Sequence, residues 1–206
     1  MTAKTHVSVG MASTLLITQP KSIKELLLCL GVASIGAVIS DIDVSTSEAY
    51  EAVNKVIKIV LIATIVLGFV EYTYSFGIIE SFKNDSNIMR LLIGMGAILG
   101  ICIFGKNQPH RSFMHSILAV GLLSGATYII LPEVVPYLYI SMLSHILIDT
   151  LNKKRVRIFY PLPWGVAFNL CKAKGMVNDM IFKVASSLTI ISLIYFTGKI
   201  GVKLLM

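Results

Sequence analysis

The feature that most limits how this chain can fold is a succession of apolar stretches, several close to membrane-spanning length, separated by short polar or proline-containing breaks. A helix rises about 1.5 Å per residue, so about 20 such residues cross a hydrocarbon core roughly 30 Å thick. Mean hydropathy over the 206 residues is +0.80, and 14% of residues are charged, against roughly 25% in soluble domains. In lipid every backbone N–H and C=O must be paired within the protein, which leaves helices or closed barrels. The alternation over about ten residues that marks a barrel strand is missing here. The sequence therefore predicts an all-α fold, a polytopic transmembrane bundle of six to seven helices. Residues 1–206 form a single membrane-embedded domain with a basic cytoplasmic loop at about 152–178.

Apolar runs read against their breaks place the helices at 6–18, 22–40, 54–79, 88–105, 112–131, 135–151 and 179–205. The first and fifth are short. Gln19-Pro20-Lys21-Ser22 closes the first two into an antiparallel hairpin. No small-residue cleavage site follows the first apolar run, which is expected to stay as a helix.

The 152–178 loop carries Lys153, Lys154, Arg155, Arg157, Lys172 and Lys174, and the positive-inside tendency puts it in the cytoplasm. Threading the chain from that loop leaves Lys4, Lys55, Lys58, Lys106, Arg111, Lys183 and the loop's own six inside. Lys21, Lys24, Lys83, Arg90, Lys199 and Lys203 fall outside. The basic balance thus follows from topology and attraction to anionic lipid head groups, and no nucleic-acid partner is expected. Cys29, Cys102 and Cys171 are too far apart to form a thiolate metal site, and are expected to be reduced structural thiols.

The same threading brings all four histidines, His6, His110, His115 and His145, to cytoplasmic helix ends. Asp41 and Asp43 close the second helix on that side, and Asp149 follows His145 by four residues, on one helix face. Ionisable groups near lipid are costly unless they face the bundle interior or water, so their gathering at one face points to function. Imidazole and carboxylate together suit zinc, manganese or iron, and carboxylates two residues apart can bridge two ions. Arg111, beside His110, is placed to clamp a phosphate oxygen, or else to contact lipid as an ordinary inside arginine. Ser40, Ser112, Ser116, Ser144 and Thr150 lie near enough to orient the histidines, or else cap helices and bond backbone. Tyr160, Pro161, Pro163 and Trp164 form an aromatic anchor at the interface. Gly94, Gly96 and Gly100 are expected to permit close helix packing.

These motifs carry a resemblance. Thr5-His6, a helix ending in Asp41-Ile42-Asp43, the run from His110 to Ser116 with its second histidine at His115, and the run from Ser144 to Thr150 followed by Phe159-Tyr160-Pro161-Leu162 resemble the YdjM-type family. Its members are membrane-bound metal-dependent hydrolases, also described as LexA-binding and inner-membrane-associated. The likeness runs from Thr5 to about Trp164. Val44 stands where such families read histidine, and Met114 where they read threonine. The His-x-x-x-acid ending is also distantly similar to zinc-dependent phospholipase C.

The resemblance implies a hydrolase of the bacterial cytoplasmic membrane with its active site facing the cytoplasm. The substrate it implies is a phosphoester, either a phospholipid or a lipid-linked phosphate. His6, Asp41, Asp43, His110, His115, His145 and Asp149 would hold two or three divalent ions, zinc first among them, and a metal-activated water would be the nucleophile. Asp43, Arg111 and Asp149 are the candidate catalytic residues. The LexA-binding description implies a cytoplasmic protein partner, so a non-catalytic regulatory protein is the main alternative. A divalent-metal transporter is a weaker one, because transport sites sit near mid-bilayer on broken helices. Glu71, Glu80 and Asp85 fall away from the cluster and are left out of the site.

Overall fold

The computed structural model describes residues 1–74, 85–172 and 175–205, and these contain seven α-helices and no extended strand. The helices are α1 (Ala3–Thr18), α2 (Ile23–Ile39), α3 (Glu48–Tyr74), α4 (Ser86–Lys106), α5 (Ile117–Ile130), α6 (Val135–Thr150) and α7 (Met176–Leu205). The all-α bundle is as the sequence predicts, with differences at helix ends that have local causes. α3 begins at Glu48 rather than at 54, because Ser47 Oγ accepts the Tyr50 N–H at 3.1 Å and donates to the Asp41 carbonyl at 2.6 Å. α5 begins at Ile117 rather than at 112. Ser116 Oγ caps it by accepting from Ala119 N at 3.2 Å, and Phe113–His115 forms a separate 3-10 turn. The predicted stretch 75–79, together with Glu80, Lys83 and Lys174, lies outside the described residues.

The hairpin between α1 and α2 closes through two caps. Gln19 takes a left-handed conformation (φ 47°) and returns its N–H to Leu15 O, while Ser22 Oγ accepts from Glu25 N at 3.1 Å. α2 packs between α1 and α6, α1 also contacts α6 and α7, and α4 and α5 pair alongside. Small residues set these distances. A Cβ on Gly10 would meet Ser141 Oγ and Ala37 Cβ, and one on Gly36 would meet the Leu138 carbonyl and Ser141. Of the three glycines singled out from sequence, Gly94 does sit against a neighbour, Ile130, whereas Gly96 and Gly100 face open space. Cys29, Cys102 and Cys171 are free and buried, as expected.

Among the described residues, four helical segments are long and apolar enough to cross a membrane: Ile23–Asp43, Glu48–Tyr74, Ser86–Lys106 and Met176–Lys203. α1 and α6, with 16 residues each, and α5, with 14, are shorter. One end of the bundle is tied by Lys24 Nζ to Glu133 (2.9 Å) and by Arg90 Nη2 to the Ile129 carbonyl (3.0 Å). Leu15, Leu26, Phe196 and Ile200 pack together there. The opposite end gathers the start of α1, the end of α2, the 107–116 loop, the end of α6 and the start of α7. Ile42, Phe113, Met114, Met142, Ile146 and Val156 form its apolar floor.

Candidate metal centre

Each element at this end delivers particular side chains. The second turn of α1 carries His6, which is 1% exposed. That turn is fixed by Asn178 of α7, whose Oδ1 accepts from Thr5 Oγ1 at 3.0 Å and from Thr2 N at 3.2 Å. α2 tightens at its last turn into the 3-10 segment Ser40–Asp43, which sets Asp41 against His115 and His145 and Asp43 against His110 and the Arg111 N–H. The 107–116 loop holds Arg111 in a left-handed conformation (φ 66°) that costs a non-glycine residue about 1 kcal/mol or more. Asp43 Oδ2 accepts the Arg111 N–H at 3.2 Å, and the Arg111 carbonyl accepts from Arg157 N at 2.9 Å, which keeps the loop in this shape. α6 supplies His145 and Asp149 one turn apart, both buried.

The basic loop folds back as a cover. Val156 and Val166 exchange both backbone hydrogen bonds, Ile117 N donates to Ile158 O, and Phe168 N donates to Thr150 O. Trp164, 73% exposed, stands on the outside of this cover, where an interfacial anchor would be. Beneath the cover is a cavity of about 370 Å³ lined by Met1, His6, Asp41, His110, Arg111, Asp149, Asn152, Lys153, Lys154, Cys171 and Lys172.

All seven residues expected to hold metal are brought together at this one end. His6 Nε2 lies 3.3 Å from Asp149 Oδ1. His115 Nε2 lies 3.6 Å from both Asp41 Oδ1 and Asp149 Oδ2, and His145 Nε2 lies 3.6 Å from Asp41 Oδ1. His110 Nδ1 reaches Asp43 Oδ1 at 2.9 Å. Three overlapping groups place their ligand atoms close enough to share a cation: His6, His145 and Asp149; Asp41, His115 and His145; and Asp43, His110 and His115. The His6 and His145 rings stack at 3.7 Å, and the Met1 amine contacts Asp149 Oδ1 at 2.9 Å.

His145 gives the clearest chemical test of whether an ion belongs here. Its Nδ1 lies 2.6 Å from the Ala37 carbonyl. A carbonyl only accepts, so Nδ1 carries the proton and a neutral ring leaves Nε2 a bare lone pair. That lone pair points at His115 Nε2, 3.3 Å away, and at the Asp41 carboxylate. Facing a carboxylate and a second imidazole nitrogen in a buried place, that lone pair needs either a proton carried by His115 or a cation to meet it. Fixing a ligating imidazole through its other nitrogen is also how metal sites orient histidine. The residues therefore fit a divalent ion. His115 lies in the loop ahead of α5. Burial opposes its charge, but Asp149, Asp41 and Asp43 around it outweigh burial and hold its pKa well above the ordinary histidine value.

Arg111 proves to be more than an outward-facing basic residue. It is buried, with Nη2 3.1 Å from Asp149 Oδ2 and Nη1 donating to the Lys154 carbonyl at 2.7 Å, while Nε has no partner. The neighbouring hydroxyls turn to backbone instead of the centre. Ser112, Ser116, Ser144 and Thr150 donate to the carbonyls of Pro109, Phe113, Ser141 and Leu147, and Ser40 Oγ is buried without a partner. Asn152 does take an orienting role, its Nδ2 donating to Asp149 Oδ1 at 2.9 Å. Its position three residues after Asp149, just past the end of α6, was the signal that could have found it. Asn178 had no such signal, because its partners lie at the other end of the sequence.

Fold and site together define a polytopic helical membrane protein with a histidine–aspartate centre, able to hold metal, at one end of its bundle. The chain belongs to the YdjM inner membrane protein family, whose model matches residues 1–203, and it is a protein of the inner membrane. No curated protein and no solved structure matches it.

Proposed function

We propose that this protein is a membrane-embedded, metal-dependent hydrolase that cleaves a phosphoester, carried by a phospholipid or a lipid-linked phosphate, at the cytoplasmic face. The observation that carries this reading is the convergence of four histidines, three aspartates and a buried arginine at one end of the bundle, where His6, His110, Asp41, Asp149 and Arg111 line a cavity beside the basic loop. A divalent ion held by His6, Asp41, Asp149 and the neighbouring histidines would supply Lewis acidity and an activated water as nucleophile.

The chain's own groups supply the rest. Lys153, Lys154 and Lys172 line the mouth of the cavity and draw an anionic phosphate toward it. Arg111 is already held by Asp149 and the Lys154 carbonyl, and presents a pre-aimed guanidinium for charge that develops on phosphoryl oxygens. Asn152 and the Ala37 carbonyl fix Asp149 and His145 in orientation, so little rearrangement is needed when substrate enters.

The test is purified protein in proteoliposomes, loaded with zinc or manganese and offered a chromogenic phosphodiester and radiolabelled phospholipids. The reading requires release of a phosphorylated or dephosphorylated head group that stops on chelation and returns when metal is restored. Stable capture of a cytoplasmic protein with no turnover of any phosphoester would favour the regulatory alternative.

A further inference from the structure

The seven acid and imidazole side chains are not equivalent in placement. Asp41, Asp149, His6 and His110 line the cavity, whereas Asp43, His115 and His145 lie outside its lining. The Asp43 side chain has no exposed surface and lies behind the 107–116 loop. Oδ1 faces His110 Nδ1 at 2.9 Å, and Oδ2 faces the Arg111 N–H at 3.2 Å and His115 Nδ1 at 3.4 Å. Every group around this carboxylate is therefore a nitrogen of one short loop.

His115 has one nitrogen on each side. Nδ1 faces Asp43, and Nε2 faces Asp41, Asp149 and His145 Nε2. A neutral imidazole has one N–H and one lone pair. With its N–H toward the Asp43 carboxylate, His115 delivers the Nε2 lone pair into the centre beside that of His145. The Asp43 carboxylate stands 3.4 Å from His115 Nδ1, facing it without yet making a hydrogen bond, in the place that the Ala37 carbonyl takes for His145 Nδ1 at 2.6 Å.

We propose that Asp43 is a positioning residue of the metal centre and not a metal ligand: it sets the tautomer and aim of His115, steadies His110, and locks Arg111 in its left-handed turn. Resting on the metal-centre reading, this narrows the ligand set to Asp41, Asp149 and the histidines. Carboxylates that back a ligating histidine typically change metal affinity by about 10- to 100-fold when lost, without abolishing the site.

The test is zinc titration of the full-length protein in detergent against a competing chelator, comparing wild type with Asp43→Asn, Asp43→Ala and Asp149→Asn. Asp43→Ala is expected to reach wild-type stoichiometry at saturating zinc, with affinity about 10- to 100-fold weaker. Asp43→Asn keeps an oxygen that accepts the Nδ1–H, so it should recover part of that loss. Asp149→Asn is expected to bind fewer equivalents at any concentration. If both Asp43 variants also lose equivalents at saturation, the positioning role is overturned and Asp43 is a ligand. If wild type itself takes up no metal, the metal centre fails as a whole, which is a different result.

Discussion

α3 and α6 stand at opposite extremes of the same bundle. α3 runs 27 residues, is largely apolar between Ile59 and Val70, and buries none of its residues. α6 runs 16 residues, buries nine, and four of those nine, Ser144, His145, Asp149 and Thr150, are polar or charged side chains in its last two turns. By length and apolarity α3 is a membrane span and α6 is not. The lesson is that hydropathy marks the helices whose surface meets lipid, whereas chemistry sits where apolar strength has been given up for inward-facing polar groups. α3 is joined to the rest through its first turns, by Ser47 and the Ser40–Asp43 segment, and its remaining length adds span without adding to the site.

The contrast can be broken most severely at α6. Replacing His145 or Asp149 by Ala should remove metal binding and lower phosphoesterase turnover on the order of 10³-fold, measured on protein that still elutes as a folded species. Next in size is Arg111→Ala, expected to retain metal but to lose about 10²- to 10³-fold in kcat, with the chromogenic diester assay as the check. If metal and activity fall together in that variant, Arg111 is holding Asp149 rather than serving substrate.

A third expectation concerns packing. Gly10→Leu forces side-chain atoms into Ser141 and Ala37, and should cost about 1–3 kcal/mol by denaturant titration in detergent. A fourth concerns protons. The surrounding carboxylates favour the charged form of His115, so zinc must displace a proton there. Apparent zinc affinity should therefore fall as pH drops below the raised pKa, by about tenfold per unit for each proton displaced, and calorimetry in buffers of different ionisation enthalpy would count those protons. The smallest effect belongs to α3: Ile62→Ala, on an exposed position, should change stability by about 0.5 kcal/mol or less and leave metal content unchanged. A large loss there would mean that α3 is covered by something other than lipid.

Much of this arrangement was legible in the residues. Apolar runs and their breaks gave the order of the helices seen among the described residues. Alternation of helix direction was then enough to carry His6, Asp41, His110, His115, His145 and Asp149 to one end, since each sits near the appropriate terminus. What could not be read was depth and aim. Ser144 and Thr150 looked as well placed as any residue to support the centre, yet hydroxyls in helices find the preceding turn's carbonyls first. The support came instead from a main-chain carbonyl, Ala37, which has no sequence signature. The left-handed Arg111 was hidden for the same reason, because its backbone is held by Asp43 and Arg157, 68 and 46 residues away in sequence by subtraction of their numbers. Gly96 and Gly100 illustrate the converse, a small-residue pattern whose face has no neighbour, while Gly10 and Gly36 do the close packing.

The most direct test of the central claim is the metal content of purified, detergent-solubilised protein by elemental analysis, wild type beside the double variant His145→Ala, Asp149→Ala. Roughly one to three equivalents of a transition metal in wild type, lost in the variant, is the expected result. Wild type that stays metal-free after reconstitution with zinc or manganese would contradict it and leave a structural or partner-binding membrane protein.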